Sequence, residues 1–306
     1  MLIALSGKIG SGKNLFANFL VAAIHTSKNP GTDPDFTGKI DITNPSLYNG
    51  VKKMNSIQIH KFTNALKDIV CRLTGCTREQ LEDQDFKNSV MGEEWNYTMS
   101  DARKFYLYMD DDKIHKEGAY TLADEEIVEA LNAIDFKWKR TYREFLQELG
   151  TNILPNWIPN IHVNATFAAW KSMLVPVKSA KITGWGGKVG ELKAETEQWP
   201  KWIITDMRFP NEAVGVKERG GIVIRINRYP KTVLVYRAGM VVADEIPFDS
   251  TNKQHIDLWK GECMRGHESE TALDDYQEWD AVIDNNGTIE ELYQQAIKIV
   301  KQFKLT

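Results

Sequence analysis

Cysteine is scarce: Cys71, Cys76 and Cys263 are the only three in 306 residues, and none has CxxC spacing. That rules out a disulfide framework, and the thiols are expected to be reduced in a cytosolic protein. Zinc-ligand spacing is missing too, since His25, His60, His115, His162, His255 and His267 are scattered. No apolar run approaches the ~18 residues of a spanning helix. The opening MLIALSGKIG reads as a short strand followed by glycines rather than a signal peptide. Nor is there an excess of one charge, because 38 Lys and Arg face 42 Asp and Glu for a net −4. No global basic signature points to nucleic acid or a membrane surface. With no internal repeat or low-complexity tract, a soluble cytoplasmic protein that binds neither is expected.

The informative stretch is LSGKIGSGKNLFANFL, residues 5–20, in which Gly7, Gly12 and Lys13 satisfy G-x-x-x-x-G-K. Before it, Leu2–Leu5 forms an apolar strand. After it, Leu15, Phe16, Phe19, Leu20, Ala23 and Ile24 fall on one helical face. Strand, glycine-rich turn and amphipathic helix together make a phosphate cradle, in which backbone N–H groups converge on phosphate oxygens beside a positive helix end. Lys13 would reach the β- and γ-phosphates. Asn14 stands where a magnesium-ligating hydroxyl usually follows the lysine; its amide oxygen can ligate the metal or hold a metal-bound water.

Further along, SIQIHKF (56–62) reads as a strand, and a helix runs from Thr63 to a stop at Gly75. TREQLED (77–83) starts another helix with Thr77 and Gln80 as a capping box. The run Asp110, Asp111 and Asp112 reads as a solvated face. RTYREFLQELGT (140–151) reads as a helix closed by Gly150, and residues 176–201 as a loop or hairpin excursion. In KWIITDMRFPNEAVGVKERGGIVIRINR (201–228), Ile203 and Ile204 belong to a buried strand ending at Asp206, with a helix entered through Pro210. Ligands of parallel sheets sit at the carboxyl ends of strands. Asp206 and Arg208 are placed there with Lys13, Asp206 as a second holder of magnesium through water or, alternatively, as half of an Asp–Arg structural pair. A strand DAVIDN and an amphipathic helix from Ile289 to Phe303 end the reading.

Several of these stretches together resemble the bacteriophage-type deoxynucleoside monophosphate kinases, relatives of adenylate and thymidylate kinases. They are LSGKIGSGK, KFTNALKDIVCRLTGCTREQLEDQDFK, YREFLQELGT, IITDMRFPNEA with GGIVIRINR, and HESE ahead of DAVIDNNGTIEELY. The resemblance implies an α/β fold: one three-layer P-loop kinase domain over 1–306 with a parallel sheet. A helical substrate-binding insertion would lie within 28–150 and a lid at 228–270, while 28–50 and 176–200 look like additions. It implies ATP as donor with Mg2+, deoxynucleoside monophosphates as acceptors, a homodimer, and the host cytoplasm if the chain is phage-encoded. Carried over, Gly7, Gly10, Ser11, Gly12, Lys13 and Asn14 would bind ATP. Lys67, Arg143, Gly150 and Thr151 would hold the acceptor. Asp206 and Arg208 would sit beside the reacting phosphates, and Glu212 would either orient Arg208 or touch the acceptor. The family shows Asp-Thr after the loop lysine where this chain has Asn14-Leu15. Two other functions stay open: a polynucleotide or nucleoside kinase using the same core, and, because of Asn14 and Leu15, a catalytically silent nucleotide-binding protein.

Overall fold

The computed structural model describes residues 1–28, 56–109, 124–133, 136–176, 180–183, 189–192, 195–230, 232–236, 243–247, 249, 251–253 and 268–305. The strands, in chain order, are β1 (Leu2–Ser6), β2 (Ile57–His60), β3 (Met173–Pro176), β4 (Ala180–Thr183), β5 (Val189–Leu192), β6 (Glu195–Gln198), β7 (Lys201–Met207), β8 (Ile222–Asn227), β9 (Thr232–Tyr236), β10 (Ala243–Pro247) and β11 (Ala281–Asp284). The helices are α1 (Lys13–Lys28), α2 (Asn64–Thr74), α3 (Gln84–Asn88), α4 (Met99–Met109), α5 (Asp124–Ala133), α6 (Tyr142–Gln147), α7 (Leu154–Trp157), α8 (Ile161–Phe167), α9 (Pro210–Lys217) and α10 (Ile289–Gln302). They divide between two compact units, Met1–Ala65 with Asn160–Thr306, and Leu66–Pro159.

In the first unit five strands form one parallel sheet of order β11-β8-β1-β7-β2. Successive side chains of β1 point to opposite faces, and both faces are apolar, as a sheet covered on both sides requires. Ile3 and Leu5 join Phe16, Leu20 and Ile24 of α1 and Leu292, Ala296 and Ile299 of α10. Leu2 and Ala4 join Val163 and Phe167 of α8 and Ala213 and Val216 of α9. Each large side chain buried this way contributes about 1.5–3 kcal/mol. The result is an α/β three-layer arrangement consistent with a P-loop kinase core, with β1, β7 and β8 delivering their carboxyl ends to one edge.

The second unit packs short helices. Leu66 and Val70 of α2, Leu81, Met91, and Phe145 with Leu149 form one core, and Ala102, Ile127 and Leu131 a smaller one. Two local expectations need correcting here. Thr77 and Gln80 do exchange capping hydrogen bonds, at 2.8 and 3.2 Å, but only the 3-10 turn Gln80–Glu82 follows. Gly150 does not close its helix: α6 passes into a π turn, Glu148–Ile153, and on into α7. Leu66 explains the glycine, because a Cβ at 150 would lie 2.5 Å from its Cδ2. The glycine admits a neighbour and does not reverse the chain.

Within the 176–201 excursion β4 pairs antiparallel with β5, and β6 pairs antiparallel with β3 just before it; β9 pairs antiparallel with β10 inside 228–270. Asp110, Asp111 and Asp112, and residues 29–50, lie outside the described residues. No helix among the described residues is long and apolar enough to cross a membrane.

Candidate functional site

The loop after β1 is shaped by glycine. Gly10 and Gly12 have φ of 76° and 92°, values that L side chains rarely adopt. A Cβ on Gly7 would meet the Ile226 carbonyl oxygen of β8 at 2.4 Å, and one on Gly12 would meet the Asn285 amide at 2.3 Å. Asn285 donates its Nδ2 hydrogen to the Ser11 carbonyl at 2.8 Å, which braces the loop from the turn after β11. Lys13, the first residue of α1, folds over the loop and donates to the carbonyls of Gly7 (2.7 Å) and Lys8 (2.8 Å). Burial, followed by the positive charge of Arg208, lowers its pKa to about 8. Among the described residues the buried Ser11 Oγ has no hydrogen-bond partner, whereas Asn14 in the first helical turn is exposed.

At the end of β7 the Asp206 carboxylate accepts from Phe62 N (2.7 Å), Thr63 N (3.2 Å) and Thr63 Oγ1 (2.7 Å). It thereby anchors the start of α2, where a negative charge is favoured. The alternative of an Asp206–Arg208 structural pair is replaced by a different one, since Arg208 forms its ion pair with Glu270. The second Glu270 oxygen accepts from Ile9 N at 3.1 Å. One turn on, Asp274 holds Lys8 (2.6 Å) and Arg225 (3.3 Å), all three side chains being nearly buried. Glu212 sits wholly inside, and its carboxylate accepts from the backbone N–H groups of Arg208 (2.6 Å) and Phe209 (3.0 Å). Burial and then the neighbouring Asp206 charge push its pKa up to about 8. Its contact to Arg208 is through the backbone N–H.

The residues fit magnesium in a limited way. Among the described residues no three His, Cys, Asp or Glu side chains cluster as a metal cage. Asp206 holds three donors on a carboxylate with roughly four acceptor sites, and Asn14 is exposed. That suits an ion bound chiefly by phosphates and water, with protein oxygens assisting.

In the Leu66–Pro159 unit, Arg143 donates from Nε to Asn88 Oδ1 and from its terminal nitrogen to Gln84 Oε1, both at 2.7 Å. Lys67 pairs with Glu82 at 2.5 Å. The short segment 82–88 thus supplies partners to both cations. Gly150 is buried and Thr151 follows it in the π turn. The structure therefore groups Lys13, Asp206, Arg208 and Glu212 in one unit, and Lys67, Arg143, Gly150 and Thr151 in the other.

Sequence reasoning missed Lys8, Arg225, Glu270, Asp274 and Asn285 as parts of the site. Arg225 did carry a signal: it is the charged residue inside the apolar strand IVIRI, and a nearly buried cation needs a partner.

No family model matches the chain. Over 193 residues it is 28% identical to a protein of Acanthamoeba polyphaga mimivirus that carries the provisional name deoxynucleotide monophosphate kinase. The aligned stretch covers 59% of this chain and 74% of that protein.

Proposed function

We propose that the chain is a nucleotide kinase that transfers the γ-phosphoryl group of ATP to deoxynucleoside monophosphates. The observation that carries this reading is the Gly7–Lys13 loop, with two left-handed glycines and a half-buried lysine at a helix start. The mimivirus relative, through its name, supplies the acceptor class.

An acceptor monophosphate oxygen is already an anionic nucleophile near neutral pH, so the protein supplies alignment and charge neutralisation rather than a base. In this reading the N–H groups around Gly10, Ser11 and Gly12, with Lys13, grip the donor phosphates. Arg208 neutralises charge on the transferring group, and Glu212 fixes the backbone that presents it. Arg143, Lys67, Gly150 and Thr151 hold the acceptor; the guanidinium fork suits paired phosphate oxygens. Magnesium, held through Asn14 and water-linked Asp206, would offset phosphate charge. The stretch 228–270, which includes the β9–β10 hairpin, serves as the lid. A hydroxyl acceptor would need a base, and Asp206, the candidate for that role, is already committed to three donors. This disfavours the nucleoside and polynucleotide readings.

The test is ADP release with ATP and magnesium, each of the four deoxynucleoside monophosphates being presented in turn. Release that depends on at least one of them is expected. ATP binding with no acceptor-dependent release would overturn the assignment in favour of a silent nucleotide-binding protein. Replacing Asn14-Leu15 by Asp-Thr would then be the way to look for restored transfer.

A further inference from the structure

Glu270 makes three contacts at the site, two of them to the loop. One carboxylate oxygen accepts the Ile9 N–H at 3.1 Å, the other pairs with Arg208, and its backbone carbonyl takes the Lys8 ammonium. A backbone N–H from a glycine-rich loop and a guanidinium are the donor types that grip a phosphoryl oxygen. The Ile9 N–H has a single hydrogen and serves one anion at a time, and a carboxylate on Arg208 repels a second anion brought beside it. The Ile9 N–H contact to Glu270 lies at an exposed position, while the Arg208 and Glu270 side chains keep 21% and 16% of their surface. Asp274 differs, because its partners Lys8 and Arg225 are both nearly buried.

We propose that the Glu270 carboxylate is an internal phosphate mimic, which competes with the terminal phosphate of the donor nucleotide for Ile9 N–H and Arg208. Donor binding then displaces the carboxylate, and apparent affinity is reduced by the fraction of molecules in which Glu270 holds those groups. This inference rests on the nucleotide-binding reading given above.

Titration of ATP into the full chain by calorimetry, for wild type, Glu270→Gln and Glu270→Asp, tests it. Gln keeps the length and removes the charge; Asp keeps the charge and shortens the reach. Both variants should bind ATP more tightly, Glu270→Gln by about three- to tenfold. Loss of a merely structural contact would not tighten binding. Thermal melts identify a variant that does not fold, in which case the other carries the comparison. Wild-type binding with equal or weaker binding by the folded variants overturns the mimic and leaves the kinase reading standing. Absence of ATP binding to wild type overturns the nucleotide reading and the mimic with it.

Discussion

In the unit built on the parallel sheet, Lys8 and Arg225 share the buried carboxylate of Asp274. In the Leu66–Pro159 unit, Arg143 rests on the neutral amide oxygens of Asn88 and Gln84, and Lys67 on a Glu82 that is 45% exposed. A buried ion pair is costly to open, because either partner left alone is an uncompensated charge. A neutral amide or an exposed acid gives up a cation to phosphate far more cheaply. The first unit thus has a fixed electrostatic frame, and the second has cations held in shape by partners that are easily exchanged. The cores match this division: among the described residues, twenty buried residues cluster on one face of the sheet, whereas six form the larger core among the short helices.

The sharpest way to break the contrast is Asp274→Ala. It leaves Lys8 and Arg225 buried without their shared acid and should destabilise the protein by about 3–5 kcal/mol in denaturant unfolding. An unchanged midpoint would show that the frame is not ionic. Next in size come Lys13→Ala and Arg143→Ala, each lowering phosphoryl transfer by about a hundred- to a thousandfold. Lys13→Ala should weaken ATP binding as well, while Arg143→Ala should leave it intact and raise KM for the acceptor. Retained turnover in the Arg143 variant would remove the acceptor role from the second unit. The smallest effect sharpens the comparison by matching backbone strain. Gly10 and Gly75 have φ of 76° and 75° with open space around them, so an alanine at either should cost about 1–2 kcal/mol. Only Gly10→Ala should also weaken ATP binding; a parallel loss in Gly75→Ala would mean that stability alone sets the affinity.

Legibility followed locality. The cradle could be read because β1, the glycine turn and α1 are contiguous, and period and turn chemistry act over that range. The strand that carries Asp206 could be read from IITDM for the same reason. Thr77 and Gln80 were legible as a cap, but the length of the helix was not, since a cap fixes a start and tertiary packing decides the stop. Gly150 misled because a glycine after an amphipathic run resembles a C-terminal signal, and only the position of Leu66 reveals its use. Glu270 and Asp274 escaped because their partners lie more than 200 positions away, save for Arg208 and Arg225 at 62 and 49; no periodicity encodes such pairings.

Asn285 and Ser11 are separated by 274 positions, a distance that also measures time. Translation delivers residues at roughly 5–20 per second, so the loop leaves the ribosome on the order of ten seconds to a minute before the side chain that braces it. The helix that covers α1, and the edge strand β11 beside β8, come equally late. The glycine-rich motif is thus synthesised well before the side chain that frames it. Closing so long a contour is slow, and a ribosome that stalls before Asn285 releases a chain with every letter of the motif and none of its C-terminal brace.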